Sequence, residues 1–125
     1  MSLKPTILVC DDSILARKQL SDVVKHFMPD SNIVEAADGK KGVELFSDKK
    51  PDLTFLDLVM PVMDGISAIK EMKKINNDAD IVVVSSIGTK SELKQAIESG
   101  AADFIQKPFS VDQIKMLLES YFKED

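Results

Sequence analysis

Four short apolar runs in this chain each end on residues able to do chemistry. Ile7-Leu8-Val9-Cys10 leads into Asp11-Asp12, and Leu53-Thr54-Phe55-Leu56 leads into Asp57. Ile81-Val82-Val83-Val84 leads into Ser85-Ser86, and Phe104-Ile105-Gln106 leads into Lys107-Pro108. Together these exits offer three carboxylates, a hydroxyl and an ammonium. Carboxylates crowded into one place repel, so either they hold their protons more tightly or a cation joins them. An oxygen donor set with no histidine or cysteine among the ligands suits a hard ion. Mg2+ comes first, with Mn2+ also admissible, and Mg2+ keeps waters and recruits phosphate. A metal beside a carboxylate shields its charge and lets it attack phosphorus, giving an acyl phosphate. Lys107 suits the phosphoryl oxygens as a point charge, and Ser85 suits one of them as a hydrogen-bond donor.

Each residue also has an ordinary reading. Asp12 alone reads equally well as a helix N-cap, Lys107 alone as solvated surface, and Ser85 alone as a strand-end hydroxyl. Asp57 is less easily dismissed, because Leu58-Val59-Met60 after it is not a capping pattern. The joint occurrence at four successive exits is what carries weight.

Such a convergence needs elements that bring the exits together. Five apolar runs, Thr6–Cys10, Asn32–Ala36, Leu53–Leu56, Ile81–Val84 and Asp103–Gln106, alternate with longer amphipathic stretches. The first, third and fourth are continuous and aliphatic, as expected of strands covered on both faces. Strands alternating with helical patterns imply βαβ units and a parallel sheet. Leu20, Val23, Val24 and Phe27 mark a first helix, and Ile66, Ile69 and Met72 a middle one. Leu93, Ala96 and Ile97 form a weaker stripe, and Ile114, Leu117, Leu118, Tyr121 and Phe122 a full one. Thr89 with Glu92 and Ser110 with Gln113 read as capping boxes. Asp38-Gly39 and Asp64-Gly65 read as turns entering helices, and Gly100 as a left-handed helix exit. The expected fold is α/β, a three-layer (βα)5 sandwich with five parallel strands. Right-handed crossovers put all the C-terminal strand ends on one edge, where ligands bind in such sheets.

Composition narrows the class. A chain of 125 residues, 44% hydrophobic and 30% charged, is one domain able to bury a core without disulfides. Its net charge is −5, with basic residues scattered as pairs such as Lys40/Lys41 and Lys73/Lys74. That pattern argues against nucleic-acid binding, which wants a positive footprint. The single Cys10 cannot form an internal disulfide, and its place at the end of an apolar run suggests a buried thiol. The apolar runs are too short to cross a bilayer and no leader pattern opens the chain, so a cytoplasmic protein without membrane contact is expected. Residues 1–5 read as a lead-in, with Met1-Ser2-Leu3 resembling a cloning remnant, and residues 6–123 as the domain. The last helix runs into Lys123-Glu124-Asp125 without a linker, which favours a stand-alone protein over an excised domain.

Asp11-Asp12, the stretch from Asp57-Leu58-Val59-Met60-Pro61 to Asp64-Gly65, Ser85-Ser86 and Lys107-Pro108-Phe109 together resemble the receiver domains of two-component response regulators. The match covers essentially the whole chain, and the single-domain chemotaxis members are nearest in shape. The resemblance implies a flavodoxin-like fold with strand order 2-1-3-4-5 and a phosphoprotein in which Asp57 accepts phosphate from a sensor histidine kinase. It implies Mg2+ held by Asp11, Asp12, Asp57 and the Val59 carbonyl, with Lys107 on the phosphate. It also implies Ser85 and Phe104 as a switch pair and a cis Lys107–Pro108 bond. Output would pass through helix 89–99, strand 103–106 and helix 110–122 to a downstream protein, with Lys90, Lys94, Phe104 and Lys115 as contacts. The chain would be a monomer or a phosphorylation-dependent dimer. It would not be an enzyme beyond its own phosphorylation and slow dephosphorylation. Val59 and Ile87 stand where some relatives carry polar groups that orient the hydrolytic water, so a long-lived phosphoryl group is expected. The competing class is a Mg2+-dependent phosphatase of the haloacid-dehalogenase type. It wants a second acid two residues after the nucleophile, where this chain has Val59.

Overall fold

The computed structural model describes residues 4–86 and 88–122. Strands β1 (Thr6–Cys10), β2 (Asn32–Ala36), β3 (Leu53–Leu56), β4 (Ile81–Ser85) and β5 (Asp103–Gln106) alternate with five helices. These are α1 (Ile14–Phe27), α2 (Gly39–Lys49), α3 (Gly65–Ile75), α4 (Lys90–Ser99) and α5 (Val111–Tyr121). The strands form one sheet in the order β2-β1-β3-β4-β5, every pair parallel. β4 runs one residue further than its apolar run, so Ser85 is the strand's last residue and pairs with Gln106. The ladder also begins before β1, because the buried Pro5 accepts the Asn32 amide at 2.8 Å. Met1-Ser2-Leu3, Ile87 and Lys123-Glu124-Asp125 lie outside the described residues.

The unbroken aliphatic runs follow from two separate cores. Ile7, Val9, Leu53, Phe55, Val82 and Val84 point to one face, where Leu20 and Val24 of α1 and Ile114, Leu117 and Leu118 of α5 meet them. Leu8, Cys10, Leu56, Ile81 and Val83 point to the other, covered by Phe46 of α2, Ile69 and Met72 of α3 and Ala96 of α4. With side chains alternating and both faces buried, every position of a central strand must be apolar.

Thr54 of β3 is an exception, buried with no hydrogen-bond partner for its hydroxyl among the described residues. An unmet buried hydroxyl costs about 1–3 kcal/mol, while a valine methyl of similar shape costs nothing there. Thr54→Val is therefore expected to raise the urea midpoint by an amount worth about 1 kcal/mol at unchanged m-value. An unchanged or lowered midpoint would show the hydroxyl to be satisfied.

Helix entries follow local chemistry. Ser13, Asp38, Asp64, Thr89 and Ser110 each accept an amide from the first turn of the following helix. The reciprocal box is complete at α5, where Gln113 returns the bond to the Ser110 amide at 2.9 Å. At α4 the expected box is only half made. Thr89 accepts from the Glu92 amide at 3.3 Å, but Glu92 Oε2 is buried with no hydrogen-bond partner among the described residues. Gly100 ends α4 at φ 121, a left-handed exit with its open side against the Lys73 stem. The stripe expected on α4 is also corrected. Ala96 is buried, but Leu93 and Ile97 remain 40% and 48% exposed, because α4 covers the margin of the sheet.

Candidate functional site

Three residues at the strand exits are fixed by backbone bonds that carry the ladder past the sheet. The Asp11 amide donates to the Ala36 carbonyl at 3.0 Å, and the Asp57 amide to the Cys10 carbonyl at 3.0 Å. The Lys107 amide donates to the Ser85 carbonyl at 2.8 Å. Carboxylates and amine are thus placed by the sheet itself, though 46 residues separate Asp11 from Asp57 and 50 more separate Asp57 from Lys107.

At their tips, Lys107 Nζ lies 2.6 Å from Asp11 Oδ2 and 3.1 Å from Asp57 Oδ2. Asp11 and Asp57 are buried and Asp12 is exposed, and ligand oxygens from all three lie within 4.8 Å of one another. The remaining oxygens are also held. Asp11 Oδ1 accepts the Ser13 amide at 2.9 Å, and Asp57 Oδ1 the Val59 amide at 3.3 Å. Burial works to lower the Lys107 pKa, but hydrogen bonds and charge from Asp11 and Asp57 together outweigh it, so the ammonium is held above its usual range.

The donor set fits a hard divalent cation. It is all carboxylate oxygen, and an ammonium bridging two of the three acids shows the local demand for positive charge. Cys10 adds no soft ligand. Its Sγ packs toward Gly42 on the other side of the sheet, and burial, followed by the Asp11 and Asp38 charges, pushes the thiol up to about 12. His26 lies near the end of α1, away from the strand exits.

The loop from Asp57 to Gly65 folds back over its own start. Leu58 and Met60 are buried anchors, and the Gly65 amide returns to the Leu58 carbonyl at 2.9 Å. Val62 sits at φ 69, a conformation rare for a β-branched residue and of the kind found where loops serve a site. Val59 donates its amide to the Asp57 carboxylate, while its side chain and those of Val62, Ile14 and Leu15 are exposed. A groove of about 660 Å³ opens between α1 and Lys107-Pro108-Phe109.

Ser85 is fully buried at the end of β4, on the same sheet face as Val83 and Ile81. Phe104, which pairs with Val83, is partly buried against the same core. The expected switch pair therefore shares one face on adjacent strands. The Lys107–Pro108 peptide is cis.

A further residue at the site escaped the sequence reading. Arg17 Nη1 donates to the Asp11 carbonyl at 2.6 Å and Nε to Glu35 Oε1 at 3.0 Å. One signal existed in the sequence. Arg17 falls in the first turn of α1, where the helix dipole disfavours a cation, so something else must hold it there.

The model of the response regulator receiver domain matches residues 7–119. The chain belongs to that family. This receiver domain is 40% identical over 109 residues to the chemotaxis protein CheY of Bacillus subtilis, covering 86% of this chain and 89% of that one. It is 37% identical over 117 residues to CheY of Thermotoga maritima, covering 94% and 97%. Among solved structures, the CheX–CheY–BeF3–Mg complex of Borrelia burgdorferi superposes with a TM-score of 0.86 at 29% identity, covering 95% of this chain and 90% of that one. The chain is thus a CheY-like receiver domain of a two-component system, which implies a sensor kinase as partner. The phosphatase reading finds no support among these relatives. No described helix of the receiver domain is long and apolar enough to cross a membrane.

Proposed function

We propose that this receiver domain takes a phosphoryl group onto Asp57 from a phosphohistidine of its sensor kinase, with Mg2+ held by Asp11, Asp12, Asp57 and the Val59 carbonyl. The observation that carries the proposal is the Lys107 ammonium seated on both Asp11 and Asp57, with the Asp12 carboxylate beside them. The cation, when bound, supplies charge that shields the acceptor and the phosphoryl oxygens. In the transfer an Asp57 oxygen forms a bond to phosphorus as the phosphorus–nitrogen bond breaks, its electron pair leaving with the imidazole. No side-chain acid or base is required; positioning and charge do the work. Lys107, on a flexible stem, moves from Asp57 Oδ2 to a phosphoryl oxygen, and the Ser85 hydroxyl engages another.

Those two engagements bias an equilibrium between two arrangements of the β4 and β5 ends. Phe104 shares their sheet face, and Leu93 and Ile97 already stand exposed on α4. These apolar residues, with Lys90, Lys94 and Lys115, form the surface whose change a downstream protein reads. Relatives that are chemotaxis proteins over most of both chains support chemotaxis as the pathway. The Borrelia relative, described in a complex with CheX, BeF3 and Mg, supports both the cation and a protein partner. The chain acts on itself and turns over no separate substrate.

Intact-mass measurement after incubation with acetyl phosphate tests the proposal. One added phosphoryl group is expected, dependent on Mg2+ and absent from Asp57→Asn. Modification that persists in that variant or survives chelation rejects it. With Val59 apolar beside the acceptor, the group is also expected to outlast that of relatives carrying a polar residue there. Decay within a few seconds at neutral pH would overturn this.

A further inference from the structure

Asp12 is the exposed member of the acidic cluster, and neither neighbouring carboxylate restrains it directly in the way Lys107 restrains Asp11 and Asp57. What aims it must act through the backbone. The Asp11 carbonyl belongs to the peptide plane that ends on the Asp12 Cα, so fixing that oxygen fixes the plane from which Asp12 projects. Arg17 does this with a 2.6 Å bond, from a side chain only 15% exposed. Its guanidinium is anchored in turn by Glu35 at 3.0 Å, on the strand whose next residue, Ala36, accepts the Asp11 amide. The end of β2 therefore grips Asp11 on both sides, directly through Ala36 and through the guanidinium from Glu35.

We infer that Arg17 and Glu35 form a positioning pair that presents the Asp11–Asp12 turn to the divalent cation. The inference rests on the proposed reading of the site. Lysine does not replace arginine here, because the two bonds leave different nitrogens of one planar fork, whereas lysine is a single point charge. The pair touches neither the phosphoryl group nor the acceptor side chain. Its effect therefore falls on cation affinity, and not on the rate once the cation is bound.

The test is calorimetric titration of the full chain with Mg2+ alone, in wild type, Arg17→Met, Arg17→Lys, Glu35→Gln and the Arg17→Met/Glu35→Gln double variant. Residues that hold metal ligands in place typically set roughly a tenfold range in affinity or more. A rise in Kd of about tenfold is expected for both Arg17 variants, and about threefold for Glu35→Gln. The double variant should be no weaker than Arg17→Met, since the pair acts as one unit. In acetyl phosphate kinetics the Mg2+ concentration for half-maximal rate should rise in step, with the saturated rate unchanged. General structural damage would lower that plateau instead. Mg2+ binding within twofold of wild type in the Arg17 variants, full rescue by lysine, or additive losses in the double variant would overturn the inference and leave the site reading intact. Should Arg17→Met fail to fold, Glu35→Gln decides alone, since Glu35 is 45% exposed and an unchanged Kd there would overturn the pairing. A wild-type chain that binds no Mg2+ would overturn both.

Discussion

Replacing Lys107 with methionine is expected to weaken the metal-free protein, to enlarge its response to Mg2+, and to slow phosphoryl uptake, all at once. The ammonium lies 2.6 Å from Asp11 and 3.1 Å from Asp57, and both acids are buried. Methionine keeps most of the stem's volume and removes the charge. Breaking a buried pair from one side costs about 3–5 kcal/mol, but the Lys107 side chain is 23% exposed, so a loss of about 1–3 kcal/mol is the appropriate scale. A divalent ion then becomes the sole neutraliser of three carboxylates. The rise in Tm on adding Mg2+ should exceed that of wild type. Uptake from acetyl phosphate should slow by about a hundred- to a thousandfold, the usual cost of losing one donor to developing negative charge. Paired thermal melts with and without Mg2+, together with intact-mass kinetics, measure all three effects. Equal Mg2+ responses in the two proteins would show that lysine and cation do not share these acids.

Gly65→Ala is expected to be the most damaging single methyl near the acceptor. A Cβ at Gly65 would stand 2.4 Å from the Asp57 carbonyl oxygen and 2.6 Å from the Leu58 Cα, and both are backbone atoms that cannot swing aside. Either α3 retreats, losing the 2.9 Å bond from the Gly65 amide to the Leu58 carbonyl, or the acceptor's own peptide shifts. Overpacking of this kind costs about 1–3 kcal/mol, and here the upper end applies. Uptake should fall as well, because the displaced atoms belong to Asp57. Gly88→Ala is the contrast. Its Cβ would meet the Gln106 side chain at 2.7 Å, and that exposed amide can rotate away, so less than about 0.5 kcal/mol is expected. Urea denaturation of both variants distinguishes them, and similar midpoints would refute the contrast.

Much of this architecture was legible from residue order, for a physical reason. A strand buried on both faces must be apolar throughout, so the first polar residue after it marks the C-terminal edge. Asp11 and Asp57 announce themselves in this way, whereas Lys107 follows Gln106 on an edge strand that is polar at both ends. Ser110 with Gln113 was legible because both halves of a reciprocal cap lie within one turn. The α4 stripe misled because i, i+3, i+4 spacing reports a common face and not what covers it. At the margin of the sheet only Ala96 finds a neighbour close enough to bury it. The half-made cap at Thr89 reflects the same limit, since the buried Glu92 Oε2 depends on surroundings outside its own turn. Arg17 and Glu35 are 18 residues apart on different elements, and no periodicity links them.

The division of the interior into two cores gives the molecule a partition. Ser85, Phe104 and α4 lie on one side of the sheet, while α1, with its arginine and the groove beside Lys107, lies on the other. Side chains can repack behind Ser85 without disturbing the opposite face, where α1 and α5 pack. Substitutions on α4 can therefore accumulate while the packing of α1 and α5 on the opposite flank is preserved. The two flanks are free to diversify separately, with five backbone strands as the insulation between them.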